Sequence, residues 1–369
     1  MESINYKDLK FSNQNGSDFI NTLRKRVRGY FKENNISSYG NNQMVLKTVV
    51  MLLIYFVPYF IMIFGGIETV WVNTLLFAIM GFGMAAIGLS VMHDANHGAY
   101  SKNKKVNHVI GLVLDILGGS AKNWQMQHNV LHHSFTNIHG VDEDISPPSN
   151  ILRFSPHEKH QKVHKYQFIY AWFFYGLMTL SWITIKDFAQ LSRYKKLGLT
   201  KAYKKSHASL VMELLLAKVI YYSYMLVIPI IVLPQAWYVT VLQFMLLHFI
   251  AGLTLAAIFQ PAHVMPSTEY PLPDDNGNLD NNSAIHQVIT TTNFAPKKKI
   301  FSWFVGGLNY QIEHHLFPNI CHIHYRAISG IVEDTIKEYG LPYHTQKSFR
   351  GALLLHAKML KQLGKPAVA

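Results

Sequence analysis

Apolar residues gather into four long runs along this chain, Val45 to Phe64, Val70 to Met92, Leu210 to Leu233 and Trp237 to Phe259, separated by polar and basic stretches. Each run is near the roughly 20 residues an α-helix needs to cross the hydrocarbon core of a bilayer. A backbone in that core must satisfy its hydrogen bonds within its own segment, so the pattern predicts an all-α integral membrane fold. The connections from Gly65 to Thr69 and from Pro234 to Ala236 are short, which pairs the four helices into two hairpins.

Two weaker apolar runs lie between the second and third long ones. His108 to Gly119 is too short to span. Tyr166 to Ile185 is borderline in length and rich in Tyr and Trp. If it crossed alone, the basic stretch holding Lys186, Arg193, Lys195, Lys196, Lys204 and Lys205 would lie outside, against the usual inward bias of Lys and Arg. An interfacial or re-entrant helix is therefore expected there. Pro266 to Asn282, rich in Pro, Asp, Asn and Gly, reads as an exposed loop. The expected organisation is a polar N-terminal segment over 1–44, one membrane domain over 45–340 and a C-terminal segment over 341–369.

Composition agrees with this reading: 49% of residues are hydrophobic and only 15% charged, which is unlike a pair of soluble domains. The formal charge of +13 lies between the apolar runs rather than in an aromatic-interleaved basic module, so a membrane-facing skirt is expected and a nucleic-acid partner is not. The same asymmetry puts both termini and the segment 93–209 in the cytosol, and in a bacterium the membrane would be the inner one. Residues 1–44 include Arg24, Lys25, Arg26 and Arg28 and show no secretory signal pattern. Cys321 stands alone, which excludes an intramolecular disulfide and cysteine-rich metal sites, and it reads as a buried thiol.

Among 20 histidines, spacing singles out a few. His93 and His97, in HDANH, are four apart at the end of the second run, so a continued helix presents both rings on one face. HNVLHH supplies His128, His132 and His133, and QIEHH supplies His314 and His315 with Gln311 one turn ahead. Imidazole suits zinc, copper, iron and nickel, and seven rings exceed what one tetrahedral zinc requires, so two metals are expected. His263, after the last span in QPAHV, is a candidate eighth ligand. Metal-bound imidazoles commonly donate their other nitrogen to a carboxylate or carbonyl, which makes Asp94, Asp142, Glu143, Asp144 and Glu313 candidate partners. His248 lies inside the last run and is expected to be a packed or hydrogen-bonded ring.

HDANH, HNVLHH and QIEHH resemble the three histidine boxes of membrane fatty acid desaturases. TTTNF followed by WFVGGLNYQIEHHLFP is similar to the last-box region of the front-end branch, which inserts a double bond between an existing one and the carboxyl end. The resemblance covers about residues 45 to 340. It implies four transmembrane helices with interfacial helices, capped by a cytosolic helical domain holding a non-haem di-iron centre. It also implies O2 as co-substrate, an external electron donor and a fatty acyl substrate linked to CoA or lipid. By this resemblance His93, His97, His128, His132, His133, His314 and His315 are metal ligands and His263 matches an additional histidine after the fourth helix. Gln311 stands where other branches carry a box histidine, as a metal or hydrogen-bond partner. No HPGG haem motif occurs, so a separate electron carrier of the cytochrome b5 or ferredoxin type is expected.

Three rival readings are open at this stage. A membrane hydroxylase or ketolase would share the boxes and differ in product. A metal transporter would need polar groups within its spans, where only His248, Glu213 and Lys218 occur. A structural membrane protein would carry the three ordered boxes by coincidence.

Overall fold

The computed structural model describes residues 5–12, 17–146 and 150–366; residues 1–4 and 13–16 of the polar N-terminal segment, and 147–149 and 367–369, lie outside the described residues. The chain is mostly helical. Four helices are long and apolar enough to cross a membrane: Asn42–Phe64, Val70–Asn96, His207–Val232 and Trp237–His263. Each contains most or all of an apolar run, and all four extend a few residues beyond one end of it, because a helix is ended by capping rather than by loss of hydropathy. Asn41 accepts from the amides of Gln43 and Met44, and Ser206 accepts from that of Ser209, satisfying first-turn donors that have no partner within the helix.

The borderline run is helical but broken. Lys162–Gly176 and Met178–Leu197 are bent by 55° at Leu177, the geometry of an interrupted span or a re-entrant loop. His108 to Gly119 does not form one helix; Lys104–Gly111 is followed by the single turn Val113–Ile116.

Two compact units are distinguishable. One comprises Asn41–Met126 and Trp172–Ala257. Its helices approach through small residues: a Cβ on Gly83 would lie 2.9 Å from the backbone nitrogen of Tyr55, and one on Gly252 would lie 2.6 Å from the Tyr175 carbonyl. In a bilayer, where lipid tails are as apolar as Leu, such close backbone contact is a main source of helix association.

The other unit comprises Met1–Gly40, Gln127–Ala171 and Ile258–Ala369. Helix Ser17–Glu33 buries Phe19, Leu23 and Val27, spaced by four, in the same core as Ile328, Val332 and Ile336 of helix Tyr325–Glu338. Tyr310, Ile312 and Leu316, around the third histidine box, belong to that core as well. Full burial of such side chains contributes about 1.5–3 kcal/mol each, so the box helix Gln311–Leu316 sits on well-packed material. Short parallel pairings complete the unit: Lys10–Phe11 with Asn278–Leu279, and Asn293–Phe294 with Thr345–Gln346. The expected loop after Pro266 carries the first of these. Gly277 turns there at φ +81°, where a Cβ would lie 2.4 Å from the Asp8 carbonyl.

Candidate metal centre

The second histidine box lies on a widened helix. Ala121–Trp124, capped by Ser120, continues into the π-helical turn Gln125–His132, and the His133 amide bonds the His128 carbonyl five residues back at 2.9 Å. Five-residue turns of this kind recur at functional sites. Here the turn sets His133 against His128 instead of on the helix flank, with their Nε2 atoms 3.2 Å apart. His133 Nε2 is also 3.0 Å from His314 Nε2.

Three other rings in the same unit, His132, His263 and His315, complete a cluster of six. His132, His263 and His315 offer nitrogens that all lie within 4.8 Å of one another, as do His133, His314 and His315. His132 and His263 have ring centroids 4.7 Å apart, and His133 and His315 are 4.4 Å apart. All but His133 are buried. His263 closes helix Trp237–His263, and His314 and His315 lie in the short helix Gln311–Leu316.

The second nitrogen of five of these rings explains why the cluster suits cations. Nδ1 of His128 donates to Asp144 at 2.9 Å, and Nδ1 of His132 faces both oxygens of Asp142 at 3.0 and 3.1 Å. Nδ1 of His263 faces the Thr290 carbonyl at 3.3 Å, that of His314 the Tyr325 hydroxyl at 3.1 Å, and that of His315 the Gln287 side-chain oxygen at 2.7 Å. An ionised carboxylate or a carbonyl only accepts, so the contacts of His128, His132, His263 and His315 fix the Nδ1–H tautomer and leave the lone pair on Nε2. Several Nε2 lone pairs then share one buried space, and Nε2 of His263 has no hydrogen-bond partner among the described residues. A metal cation would resolve this arrangement, with the carboxylates as an outer layer that orients the rings.

At His132 the field has the matching sign. Burial would lower the pKa of His132, but Asp142 and Asp144 outweigh it and raise the ring to about 9. Asp144 is held well below the usual carboxylate range despite burial, by His132 and by the hydrogen bond from His128. A site that retains a proton this strongly also favours a cation in its place.

His93 and His97 form a pair in the membrane-helix unit, ring centroids 4.7 Å apart, each ring against Trp124. Asp94 Oδ1 is 4.0 Å from His93 Nδ1. Gln311 is buried beside the third box, and its amide nitrogen has no hydrogen-bond partner among the described residues. Glu313 is buried with its oxygens engaged by Asn293 Nδ2 at 2.8 Å and the Tyr343 hydroxyl at 2.7 Å, and burial pushes its carboxyl up to about 7. Asn293 also accepts from the Ile312 amide, so these contacts anchor the box helix to strand Asn293–Phe294. Glu143 and Cys321 are buried.

Two further residues organise the cluster. Gln287, in helix Ser283–Ile289, accepts from His315 while its amide donates to the His133 carbonyl at 2.8 Å, joining the second and third boxes. Asn137 takes a left-handed φ of +62°, a conformation Asn tolerates better than most residues. Its backbone amide donates to Asp142 Oδ2 at 2.8 Å, and its side chain donates to the carbonyls of His263 and Glu269 at 3.0 and 2.9 Å. Nothing in the spacing of either residue marks it in the linear chain.

The polar groups of the spans have structural partners within the membrane-helix unit. Lys218 donates to Asp187 and to the Gly118 carbonyl. Glu213 pairs with Lys122 and Lys205. His248 bonds the Tyr221 hydroxyl at 2.8 Å and Thr179 at 3.2 Å, the hydrogen-bonded ring expected of it. These contacts leave little to support the transporter reading.

Comparison with known proteins points the same way. The family model described as fatty acid desaturase matches residues 69–347. The chain is 36% identical over 345 residues to the sn-1 linoleoyl-lipid 6-desaturase of Arthrospira platensis, covering 94% of this chain and 92% of that one. It is 33% identical over 363 residues to the protein of the same name in Synechocystis, covering 97% and 98%. It is 36% identical over 358 residues to the acyl-lipid (8-3)-desaturase of Physcomitrium patens, covering 96% and 74%.

Proposed function

Because this chain belongs to the fatty acid desaturase family, we propose that it is a front-end acyl-lipid desaturase, inserting a cis double bond on the carboxyl side of one already present in a C18 or C20 chain. Membership makes it an oxidoreductase of lipid metabolism, and its four apolar helices fit the membrane-bound character of such enzymes. The finer reading draws on Gln311 ahead of His314 and His315 and on relatives named for lipid-linked substrates. The observation that carries the desaturase reading is the buried histidine cluster in which Nδ1 of His128, His132, His263 and His315 is committed to carboxylate or carbonyl oxygens.

In this reading His128, His132, His133, His263, His314 and His315 hold two irons, and the family's first box adds His93 and His97 to the ligand set. When bound, the irons would supply the O2-dependent oxidising power that removal of hydrogen from an unactivated methylene demands. Asp142, Asp144 and Gln287 keep the rings in one tautomer and one orientation. Gln311 offers a hydrogen-bond donor beside the ligands where other branches carry a histidine. Regioselectivity requires the chain to be held in one register, which apolar walls contributed by the spans would provide. Electrons come from a separate carrier of the cytochrome b5 or ferredoxin type, and the boxes and both termini lie in the cytosol.

Expression in a host of defined lipid composition, fed C18 acids that already carry a double bond, tests the reaction. A new double bond nearer the carboxyl end, located by mass spectrometry in the lipid fraction, is expected. Insertion only on the methyl side rejects the front-end assignment, and a hydroxylated product rejects desaturation. Purified protein reconstituted with iron should hold about two irons per chain, as the imidazole-rich ligand set implies. His132→Ala and His315→Ala should lose iron and turnover while still inserting in the membrane. Gln311→Ala should keep its iron and lose turnover; unchanged turnover would make Gln311 a bystander.

A further inference from the structure

The C-terminal helix Phe349–Leu363 has two unlike faces. Ala352, His356, Leu360 and Leu363 are buried, and this inner side is pinned by hydrogen bonds. His356 Nδ1 donates to the Val264 carbonyl at 2.9 Å, Gln167 to the Leu360 carbonyl at 2.8 Å and Arg153 to the Leu363 carbonyl at 2.8 Å. Arg350, Leu354, Lys358, Lys361 and, just past the helix, Lys365 are exposed along the other side. No Asp or Glu occurs anywhere from 339 to 369.

A charged stripe is ordinarily a solvated face, and such a face usually mixes both signs. This one is of a single sign and has a large apolar residue at its centre, Leu354, 61% exposed. Its neighbour across the last turns repeats the combination. Lys361 lies over the Phe168 ring at 5.4 Å, and beside Phe168 stand Tyr166, 56% exposed, and Ile169, 62% exposed, with Lys165 over the Tyr166 ring. At the helix start, Phe349 packs on Phe301 with centroids 4.9 Å apart, next to exposed Ile300 and the lysines at 297–299. Lysines interleaved with Tyr, Ile and Leu on one rigid surface match a basic patch that an anionic leaflet attracts, with side chains suited to the headgroup boundary. An acidic protein would answer the charge but would leave the scattered exposed side chains without the apolar boundary they suit.

We propose that the helix Phe349–Leu363 lies on an anionic lipid surface, with Arg350, Lys358 and Lys361 against headgroup phosphates and Leu354, Tyr166 and Ile169 at the acyl boundary. The contact ties the C-terminal end of the histidine-bearing unit to the membrane whose lipids the enzyme acts on. Attraction to anionic headgroups acts within about a Debye length, roughly 10 Å at 0.1 M salt, so it requires direct apposition.

A nitroxide at Leu354→Cys in the full-length protein tests this, since Cys321 is buried. The protein is reconstituted in nanodiscs of phosphatidylcholine alone or with phosphatidylglycerol, and collision with O2 and with a water-soluble nickel chelate is measured. In anionic discs the label should meet O2 readily and the chelate several-fold less often than a label at Lys337. Adding Arg350→Glu, Lys358→Glu and Lys361→Glu together should restore collision with the chelate. A label as open to the chelate as the control in both discs overturns the proposal, and so does one that charge reversal leaves unmoved. Shielding that appears only when an acidic cytochrome b5 or ferredoxin is added overturns it in favour of a protein-docking surface.

Discussion

The side-chain oxygen of Gln287 lies 2.7 Å from Nδ1 of His315, and the amide of the same glutamine holds the His133 carbonyl at 2.8 Å. One neutral side chain thus sets the orientation of a ring from the third box and the backbone of the second. Loss of such an outer partner typically costs about 10- to 100-fold in metal affinity. Gln287→Leu should weaken iron retention by that order in chelator competition, without loss of membrane insertion. Retention equal to the parent would reduce Gln287 to packing.

Lys218 and Asp187 are both buried, and Asp187 also accepts from Trp182 Nε1 at 3.0 Å and Asn123 Nδ2 at 3.2 Å. Removing one partner of a buried pair leaves an uncompensated charge, at a cost of about 3–5 kcal/mol. Lys218→Met should therefore lower the melting temperature in detergent markedly. The double variant Lys218→Met with Asp187→Asn should recover much of the loss, since it removes both charges and keeps an acceptor for Trp182 and Asn123. Equal melting of the single and double variants would show that the two residues are not coupled.

Asp115 is raised from its ordinary 3.8 to about 6, chiefly by burial. A carboxyl whose folded pKa is raised binds its proton more tightly in the folded state, so its contribution is full below pH ~4 and is lost as pH rises through 6. At about 1.4 kcal/mol per pKa unit the loss is at most about 3 kcal/mol. Asp115→Asn should be more stable than the parent at pH 7.5 and should match it near pH 4. An advantage that does not change with pH would assign the effect to something other than titration.

If both termini are cytosolic, as proposed, cysteines introduced at Gly66 and Gln235 should react with an impermeant reagent from outside, and those at Lys104 or Lys298 should not. Labelling at Lys196 decides how the bent segment 162–197 runs. Protection fits an interfacial or re-entrant path, whereas external reaction would make it a fifth span.

The spans and the histidine boxes are legible along the chain because their causes are local. A bilayer selects apolar runs of a given length, and helical periodicity brings His93 and His97 within one turn of each other. Side-chain partners at long range have no such periodicity. His133 meets His314 across 181 positions, His315 meets Gln287 across 28, and Lys218 meets Asp187 across 31. Asp142 and Asp144 were readable as candidates from their nearness to the second box, but Gln287 and Asn137 look like any polar residues of a loop or short helix. The widened turn over Gln125–His132 is likewise unmarked by composition, yet it decides that His133 faces His128. Helix and span are set by hydrogen bonding and solvation within a segment. The tautomers and the convergence of the rings depend on which distant segments pack together, and only the folded chain brings those segments into contact.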